Sequence, residues 1–94
     1  MLGEKLKELR ESKGLLQRQI AAELEVDTAY VSKMENNEKP VSLSNLKALE
    51  IFYNLPEGEL MPFMLAEKIT QILNKSPWSN QALNLVLKSL QTDE

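Results

Sequence analysis

A short segment in the first half of the chain, predicted to be helical, is expected to carry Thr28, Tyr30, Ser32 and Lys33 on its outward face. A lysine ammonium group can donate hydrogen bonds to O6 and N7 of guanine, and a threonine hydroxyl can bond either type of base. The methyl groups of alanine and threonine can contact the C5 methyl of thymine. These residue types suit the recognition of base edges, although a polar helix face is often only a solvated surface.

Other kinds of chemistry have few residues to support them. The chain has neither cysteine nor histidine, so disulfides, thiolate ligation and the two favoured zinc ligands are absent. There is no glycine-rich phosphate loop and no arrangement of nucleophile and base. Glu57 and Glu59 are close in sequence, but acidic residues in the first turn of a helix are expected from its dipole. The sequence predicts no enzyme, metal, cofactor or small-molecule substrate.

The length and hydropathy pattern limit the class of protein. A chain of 94 residues is expected to form one small domain. It opens directly into a charged segment, without the apolar run of about 7 to 15 residues of a signal peptide. No segment approaches the roughly 18 apolar residues of a membrane span. We expect a soluble, cytoplasmic protein that is not bound to a membrane.

The first 55 residues have the apolar periodicity of four helices. Gly14 is a predicted C-cap for the first helix, and Glu25 to Asp27 form a turn between the second and third. Asp27 or Thr28 is expected to cap the third helix, and Ser42 the fourth. The predicted inward positions are Leu2, Leu6, Leu9, Ile20, Ala21, Leu24, Val31, Met34, Leu43, Leu46, Leu49 and Phe52 or Tyr53.

The remainder is also helical in pattern. Pro56 is expected in the first turn of a fifth helix, which Pro62 should kink or restart. Ser76 and Pro77 are interpreted as N-cap and first residue of a last helix. Because no segment shows sustained alternation, the predicted fold is all-α.

Two helices joined by a tight turn, with the small Ala21 where they cross, form a helix-turn-helix whose second helix fits the major groove, about 12 Å wide. The segments "LKELRESKGLLQRQIAAELEV" and "VSKMENNEKPVSLSNLKALE" resemble the Xre family, which includes Cro and phage repressors. The resemblance implies a lambda-repressor-like helix-turn-helix bundle of four to five helices. Residues 1–60 would form the DNA-binding domain, and residues 61–94 a helical dimerisation extension packed on the same domain.

The resemblance also implies roles for individual residues. Arg10 and Glu35 match a family pair that links the first helix to the end of the third, so a salt bridge is expected. Gln17 is similar to a glutamine that touches the DNA backbone and packs on the recognition helix. The residues that match base-facing positions are Thr28, Ala29, Ser32 and Lys33. The predicted contacts to the DNA backbone are Gln17, Arg18, Tyr30, Asn36, Asn37 and Lys39.

Three positions depart from the family pattern. Glu25 replaces the usual turn glycine, and left-handed backbone there would cost about 1 to 2 kcal/mol. Asn37 replaces a second glycine, which is milder because asparagine visits that geometry more readily. Glu50 lies where a small residue is usual, so we expect the helix to turn it towards solvent.

The charge distribution bears on binding strength. The net charge is −3, and residues 1–55 hold eight Lys and Arg against nine Asp and Glu. Arg18, Lys33 and Lys39 are nevertheless expected on or beside the DNA face, with most glutamates elsewhere. A weak positive patch predicts low non-specific affinity and dependence on two half-sites, which favours a dimer.

The resulting hypothesis is a homodimeric regulator, of the repressor or restriction-modification controller type, that binds double-stranded DNA at a near-palindromic operator and so associates with the nucleoid. The predicted dimerisation residues are Phe63, Met64, Trp78, Leu83, Val86, Leu87 and Leu90. The last four could instead cover the chain's own fifth helix. The alternative function is a protein-interaction module or antitoxin whose C-terminal helices bind a protein partner.

Overall fold

A computed structural model describes residues 1–92, and these residues form six helices without a strand. The helices are α1 (Leu2–Ser12), α2 (Gln17–Leu24), α3 (Thr28–Glu35), α4 (Leu43–Phe52), α5 (Met61–Leu73) and α6 (Ser79–Thr92). The predicted all-α class is confirmed. None of the six helices is long and apolar enough to cross a membrane.

Helices α1 to α4 all end in the same way. In each, a residue one or two positions after the helix end adopts left-handed backbone geometry, and the amide that follows it bonds back five residues, as Leu15 N does to Arg10 O at 3.1 Å. Gly14 adopts this geometry at φ 67°. Glu25, Asn37 and Asn54 adopt it with side chains, so the chain keeps the family turn after α2 despite Glu25. We assign about 1 to 2 kcal/mol of strain to Glu25.

Among the N-caps predicted for α3 and α4, the one at α3 differs from the prediction. Ser42 Oγ accepts a hydrogen bond from Asn45 N at 3.1 Å, as expected for the N-cap of α4. Asp27 occupies the N-cap position of α3, but its side chain makes no capping hydrogen bond. At α2, Gln19 supplies the cap instead, because its side-chain oxygen accepts from Leu16 N at 2.7 Å.

One core lies among α1 to α4 and the start of α5. Its buried apolar residues are Leu2, Leu6, Ile20, Ala21, Leu24, Val31, Met34, Val41, Leu46, Leu49, Tyr53, Leu60 and Met64. Leu43, predicted to face inward, is exposed, since α4 already fills that space with Leu46 and Leu49. The entry to α1 packs closely on the end of α3: a Cβ on Gly3 would lie 2.5 Å from Glu35 O.

The C-terminal helices begin later than predicted. Residues 57–60 form a turn, and α5 starts at Met61, so Pro56 is not in its first turn. Pro62 lies in that first turn, where its missing amide donor is not needed, and it does not interrupt the helix. Ser76 is not the N-cap of α6: its Oγ accepts from Trp78 N at 3.1 Å, and the helix begins at Ser79.

The two C-terminal helices differ in how they pack. Helix α5 contacts α1, and its Met64 is only 8% exposed. Met64 therefore belongs to the core of its own chain, which corrects its assignment to a contact between chains. The residues of α6 whose burial is described are exposed apart from the partly buried Ser79, so its apolar stripe does not cover α5 and α6 is not packed on the domain as predicted. Asp93 and Glu94, the end of the predicted extension, lie outside the described residues.

Glu50 is buried, which overturns the expectation that it faces solvent. Its side chain is 3% exposed, and its two carboxylate oxygens accept hydrogen bonds from Gly58 N at 3.0 Å and Leu60 N at 2.8 Å. A carboxylate can occupy the core here because both oxygens find donors in the α4–α5 loop. Glu50 thus fixes the loop that leads into α5.

Removing this carboxylate should destabilise the fold. Glu50→Ala leaves the buried amide of Leu60 and the partly buried amide of Gly58 without an acceptor, so we expect the free energy of unfolding to fall by about 1 to 3 kcal/mol. Urea denaturation followed by circular dichroism measures the loss. The matched control is Glu59→Ala at an exposed position, expected within about 0.5 kcal/mol of the original. Equal stability of the two variants would contradict the assigned role.

Candidate nucleic-acid interface

Helices α2 and α3, of eight residues each, are joined by the turn of residues 25–27 and pack against each other. Ala21 and Val31 are both buried between the two helices and the rest of the core. A small side chain at position 21 allows the two backbones to approach closely. This is the geometry of a helix-turn-helix, in which α3 is the helix presented to the major groove.

The outer face of α3 carries the four residues predicted to read bases. Thr28, Ala29 and Lys33 are exposed, and Ser32 is half-buried. Residues four apart on a helix share a face, so Thr28 lies above Ser32 and Ala29 above Lys33. The opposite side is formed by the buried residues Val31, Met34 and Glu35. The four side chains are therefore brought together on one accessible surface.

A buried ion pair holds α3 against α1. Arg10 Nε donates to Glu35 Oε2 at 2.7 Å, and Nη2 donates to Oε1 at 3.0 Å, so the predicted salt bridge is present and bidentate. Arg10 Nη1 also donates to Leu15 O at 2.9 Å. The hydrogen bond to Glu35 raises the pKa of the Arg10 guanidinium. Two parallel hydrogen bonds between a guanidinium and a carboxylate fix the relative orientation of the two side chains as well as their distance.

Gln17 joins this network. Its side-chain Nε2 donates to Glu35 Oε1 at 3.1 Å, so the amide is directed at the end of α3. The packing role implied by the family resemblance is therefore visible in the structure. The main-chain amide of Gln17 lies in the first turn of α2, where amides lack partners within the helix.

The loop after α3 is less available for phosphates than predicted. The amides of Asn37, Glu38 and Lys39 all bond to carbonyls near the end of α3. Asn37 Oδ1 accepts from Gly3 N at 2.9 Å, and its Nδ2 donates to Glu4. The Asn37 side chain and these amides are thus committed to internal contacts, which corrects their assignment as phosphate ligands.

Asn36 and Tyr30 are also differently placed from the expectation. Asn36 lines a groove in which Glu4, Glu8 and Glu11 outnumber the one lysine, Lys7, so the excess of carboxylates disfavours a phosphate there. Tyr30 packs against the core, and its hydroxyl donates to Pro40 O at 3.0 Å. Arg18 in α2 and Lys39 in the loop after α3 are exposed cations.

The hydrogen bonds that the Asn37 side chain makes with the start of α1 were not predicted from the sequence. No local pattern indicates a bond between residues 34 positions apart, and Asn37 was interpreted as a turn residue and a contact to the DNA backbone. The close approach of Gly3 to Glu35 O is the matching feature on α1. The Asn37 hydrogen bonds hold the start of α1, and the Arg10 ion pair holds its end, so both ends of α1 are attached to residues at the end of α3 or just after it.

Tyr53 is buried near the Arg10–Glu35 ion pair, and its phenol makes the stability of the fold depend on pH. Burial, followed by the nearby Glu35 carboxylate, raises the pKa of the phenol to about 12, against a smaller lowering effect of Arg10. A raised pKa means that the fold favours neutral tyrosine, so this stability is complete below about pH 10 and is lost as pH rises towards 12.

We therefore expect unfolding experiments to show a loss specific to Tyr53 in alkali. Between pH 10 and pH 12 the free energy of unfolding should fall by about 1 to 2 kcal/mol more in the original chain than in Tyr53→Phe, whose ring cannot ionise. Urea denaturation at several pH values and matched ionic strength gives the slope of the free energy of unfolding against pH for each chain. Parallel slopes for the two chains would be inconsistent with a buried neutral phenol.

The described residues offer no obvious metal site: within 1–92, no three His, Cys, Asp or Glu side chains are grouped so as to hold an ion.

Comparison with known proteins agrees with this geometry. The family model described as Helix-turn-helix matches residues 6–60, more than half of the chain. Control protein C.MunI from Mycoplasma sp is 39% identical over 59 residues, which cover 62% of this chain and 80% of that protein. No solved structure matches the chain. The match spans α1 to α4 and the packed helix-turn-helix pair, so the chain belongs to the helix-turn-helix family of DNA-binding transcriptional regulators, of the Xre type predicted from its sequence.

Proposed function

We propose that this regulator binds a near-palindromic operator as a homodimer, with α3 of each copy in one of two successive major grooves about 34 Å apart. The observation that carries the proposal is the accessible face of α3, where Thr28, Ala29, Ser32 and Lys33 lie together. Lys33 can donate to guanine, Thr28 can bond either base type, and Ala29 can contact a thymine methyl. Regulation would act on transcription in the cytoplasm, at the nucleoid.

Contacts to the DNA backbone are proposed for fewer residues than the sequence suggests. Arg18 and Lys39 are exposed cations that can neutralise phosphates. The main-chain amides at the start of α2 can donate to a phosphate, since the helix dipole favours an anion there. With so few cations, one copy should bind weakly, and two linked copies should be needed for a stable complex.

The dimer is proposed to form through the exposed apolar residues of the last two helices. Those on α6 and just before it are Trp78, Leu83, Val86, Leu87 and Leu90, with the half-buried Phe63 on α5. A helix of 14 residues is marginal alone in water, so α6 needs a covering surface. Light scattering at micromolar concentration should give a mass above 10.7 kDa. A single species at that mass would contradict the dimer.

The likeness to Control protein C.MunI favours a controller-type regulator. The same exposed residues of α6 favour a second candidate, an antitoxin or interaction module that binds another protein. On that reading α6, rather than α3, would carry the function.

The deciding experiment is selection of bound fragments from random double-stranded DNA, at about 150 mM salt to suppress binding to phosphates alone. Enrichment of a two-fold symmetric site would support both the operator and the dimer. Enrichment of a single half-site would support base reading by one copy only. If no sequence is enriched, the interaction module becomes the better description.

A further inference from the structure

Asp27 ends the turn between α2 and α3 and occupies the N-cap position of α3, directly before Thr28. An aspartate at an N-cap ordinarily accepts a hydrogen bond from an amide two or three residues further on. Here the side chain makes no such bond. It is exposed, and within residues 1–92 it forms no ion pair or other side-chain hydrogen bond. Both carboxylate oxygens are therefore available to accept hydrogen bonds from a ligand.

The surface around Asp27 is open, and its walls are held in place. A wide hollow of about 520 Å³ at the start of α3 is lined by Glu25, Val26, Asp27 and Tyr30. The Tyr30 hydroxyl donates to Pro40 O at 3.0 Å, which fixes one wall of the hollow. Val26 N donates to Ala21 O at 3.0 Å, which fixes the turn. A base edge thus has room to approach the carboxylate without a rearrangement of the chain.

The position and chemistry of Asp27 suit the reading of one particular base. In a helix-turn-helix, the N-terminal residues of the second helix contact base edges in the major groove. An ionised carboxylate can only accept hydrogen bonds, and N4 of cytosine is a donor in that groove. Guanine presents the acceptors O6 and N7 there and thymine the acceptor O4, so a carboxylate disfavours both. Adenine presents a donor with an acceptor beside it, which leaves cytosine as the best match.

A carboxylate near DNA is repelled by the phosphates, and the start of α3 offsets part of that repulsion. The first amides of a helix lack partners within it, and the helix dipole is positive at this end. Asp27 lies beside these amides, because it immediately precedes the first residue of α3. A negative charge is therefore better tolerated here than elsewhere on the surface that faces DNA.

We propose that the Asp27 carboxylate accepts a hydrogen bond from N4 of a cytosine in each half-site, which makes Asp27 a further specificity-determining residue. The proposal rests on the proposed binding of an operator through α3. Asp27 and Lys33 are six residues apart, or about 9 Å along the helix, and successive base pairs are about 3.4 Å apart. The cytosine should therefore lie about two or three base pairs from the guanine contacted by Lys33.

Selection from random double-stranded DNA, followed by fluorescence anisotropy on the selected operator, tests the role of Asp27. The cytosine is replaced by each other base in turn, with its complement, and binding of the original chain and of Asp27→Asn is compared. The original chain should prefer cytosine to adenine by about tenfold. Asparagine pairs with N6 and N7 of adenine, so Asp27→Asn should lose or reverse this preference. Both residues are good N-caps, so the midpoint of urea denaturation should not change.

Glu25→Gln is the matched control, because it removes one negative charge from the same hollow. It should tighten binding to all sequences alike, since repulsion of phosphates is then weaker. If Asp27→Asn behaves in the same way and keeps the preference for cytosine, Asp27 acts only through its charge and the proposal is overturned. A selected half-site without a cytosine at the expected spacing would also overturn it, while leaving operator binding intact. If the original chain selects no sequence, operator binding itself fails, and the role of Asp27 fails with it.

Discussion

Replacing Glu35 with glutamine should lower the free energy of unfolding by about 3 kcal/mol or more. The substitution keeps the size of the side chain but leaves the Arg10 guanidinium buried without its counter-ion. Desolvation of an unpaired charge is expensive, and the remaining neutral oxygen compensates only part of the cost. Because Gln17 also donates to Glu35, the start of α2 should loosen together with α3.

Urea denaturation of matched variants would separate this effect from a general loss of charge. Glu8→Gln removes an exposed carboxylate whose contact with Lys5 is 3.9 Å, and it should change stability by at most about 0.5 kcal/mol. Arg10→Met combined with Glu35→Leu removes both buried charges and should be closer to the original than Glu35→Gln alone. If Glu35→Gln were within about 1 kcal/mol of the original, the pair would not be buried as described.

The double variant also tests what the ion pair contributes to function. An apolar pair can fill the same space, yet it lacks the fork of hydrogen bonds that orients α3 relative to α1 and α2. We therefore expect Arg10→Met with Glu35→Leu to fold but to bind selected DNA less tightly than the original. Full DNA affinity in this variant would mean that packing alone positions α3.

Replacing Lys33 with alanine should weaken binding to the selected operator by about 1 to 3 kcal/mol and relax the preference at one base pair. Lys33 is exposed in the last turn of α3, and an ammonium group is able to donate to acceptors on guanine. A contact to a base edge contributes on the correct base and little elsewhere, so the ratio of specific to non-specific affinity should fall.

Lys39→Ala is the matched control, since it also removes one exposed cation. Loss of a phosphate contact should weaken binding to all sequences alike and reduce the salt dependence by about one ion. Affinities for the operator, its single-base variants and unrelated DNA at several salt concentrations distinguish the two behaviours. If Lys33→Ala behaves like Lys39→Ala, then Lys33 contacts a phosphate, and base reading must fall to Thr28, Ala29 and Ser32.

The sequence alone predicted the parts of this protein that depend on neighbours along the chain. Apolar residues spaced three and four apart are sufficient to indicate α1 to α4, because one helix face must be buried. Ser42 was a reliable helix start for the same local reason, since its hydroxyl bonds an amide three residues on. The helix-turn-helix and the pairing of Arg10 with Glu35 came from the family resemblance, and both are present.

Only the tertiary structure decided how distant polar groups are satisfied and which apolar faces stay uncovered. Whether a carboxylate such as Glu50 is buried depends on donors in a loop that the helix pattern does not describe. The sequence suggested that the Asn37 side chain was available to bind a phosphate. Its actual partners, Gly3 and Glu4, are more than 30 positions away at the start of the chain, so no local pattern indicates them. The apolar patterns of α5 and α6 are alike, yet Met64 is buried and the stripe of α6 is not. Periodicity shows that a face is apolar, whereas only the packing of all helices together shows what remains to cover it.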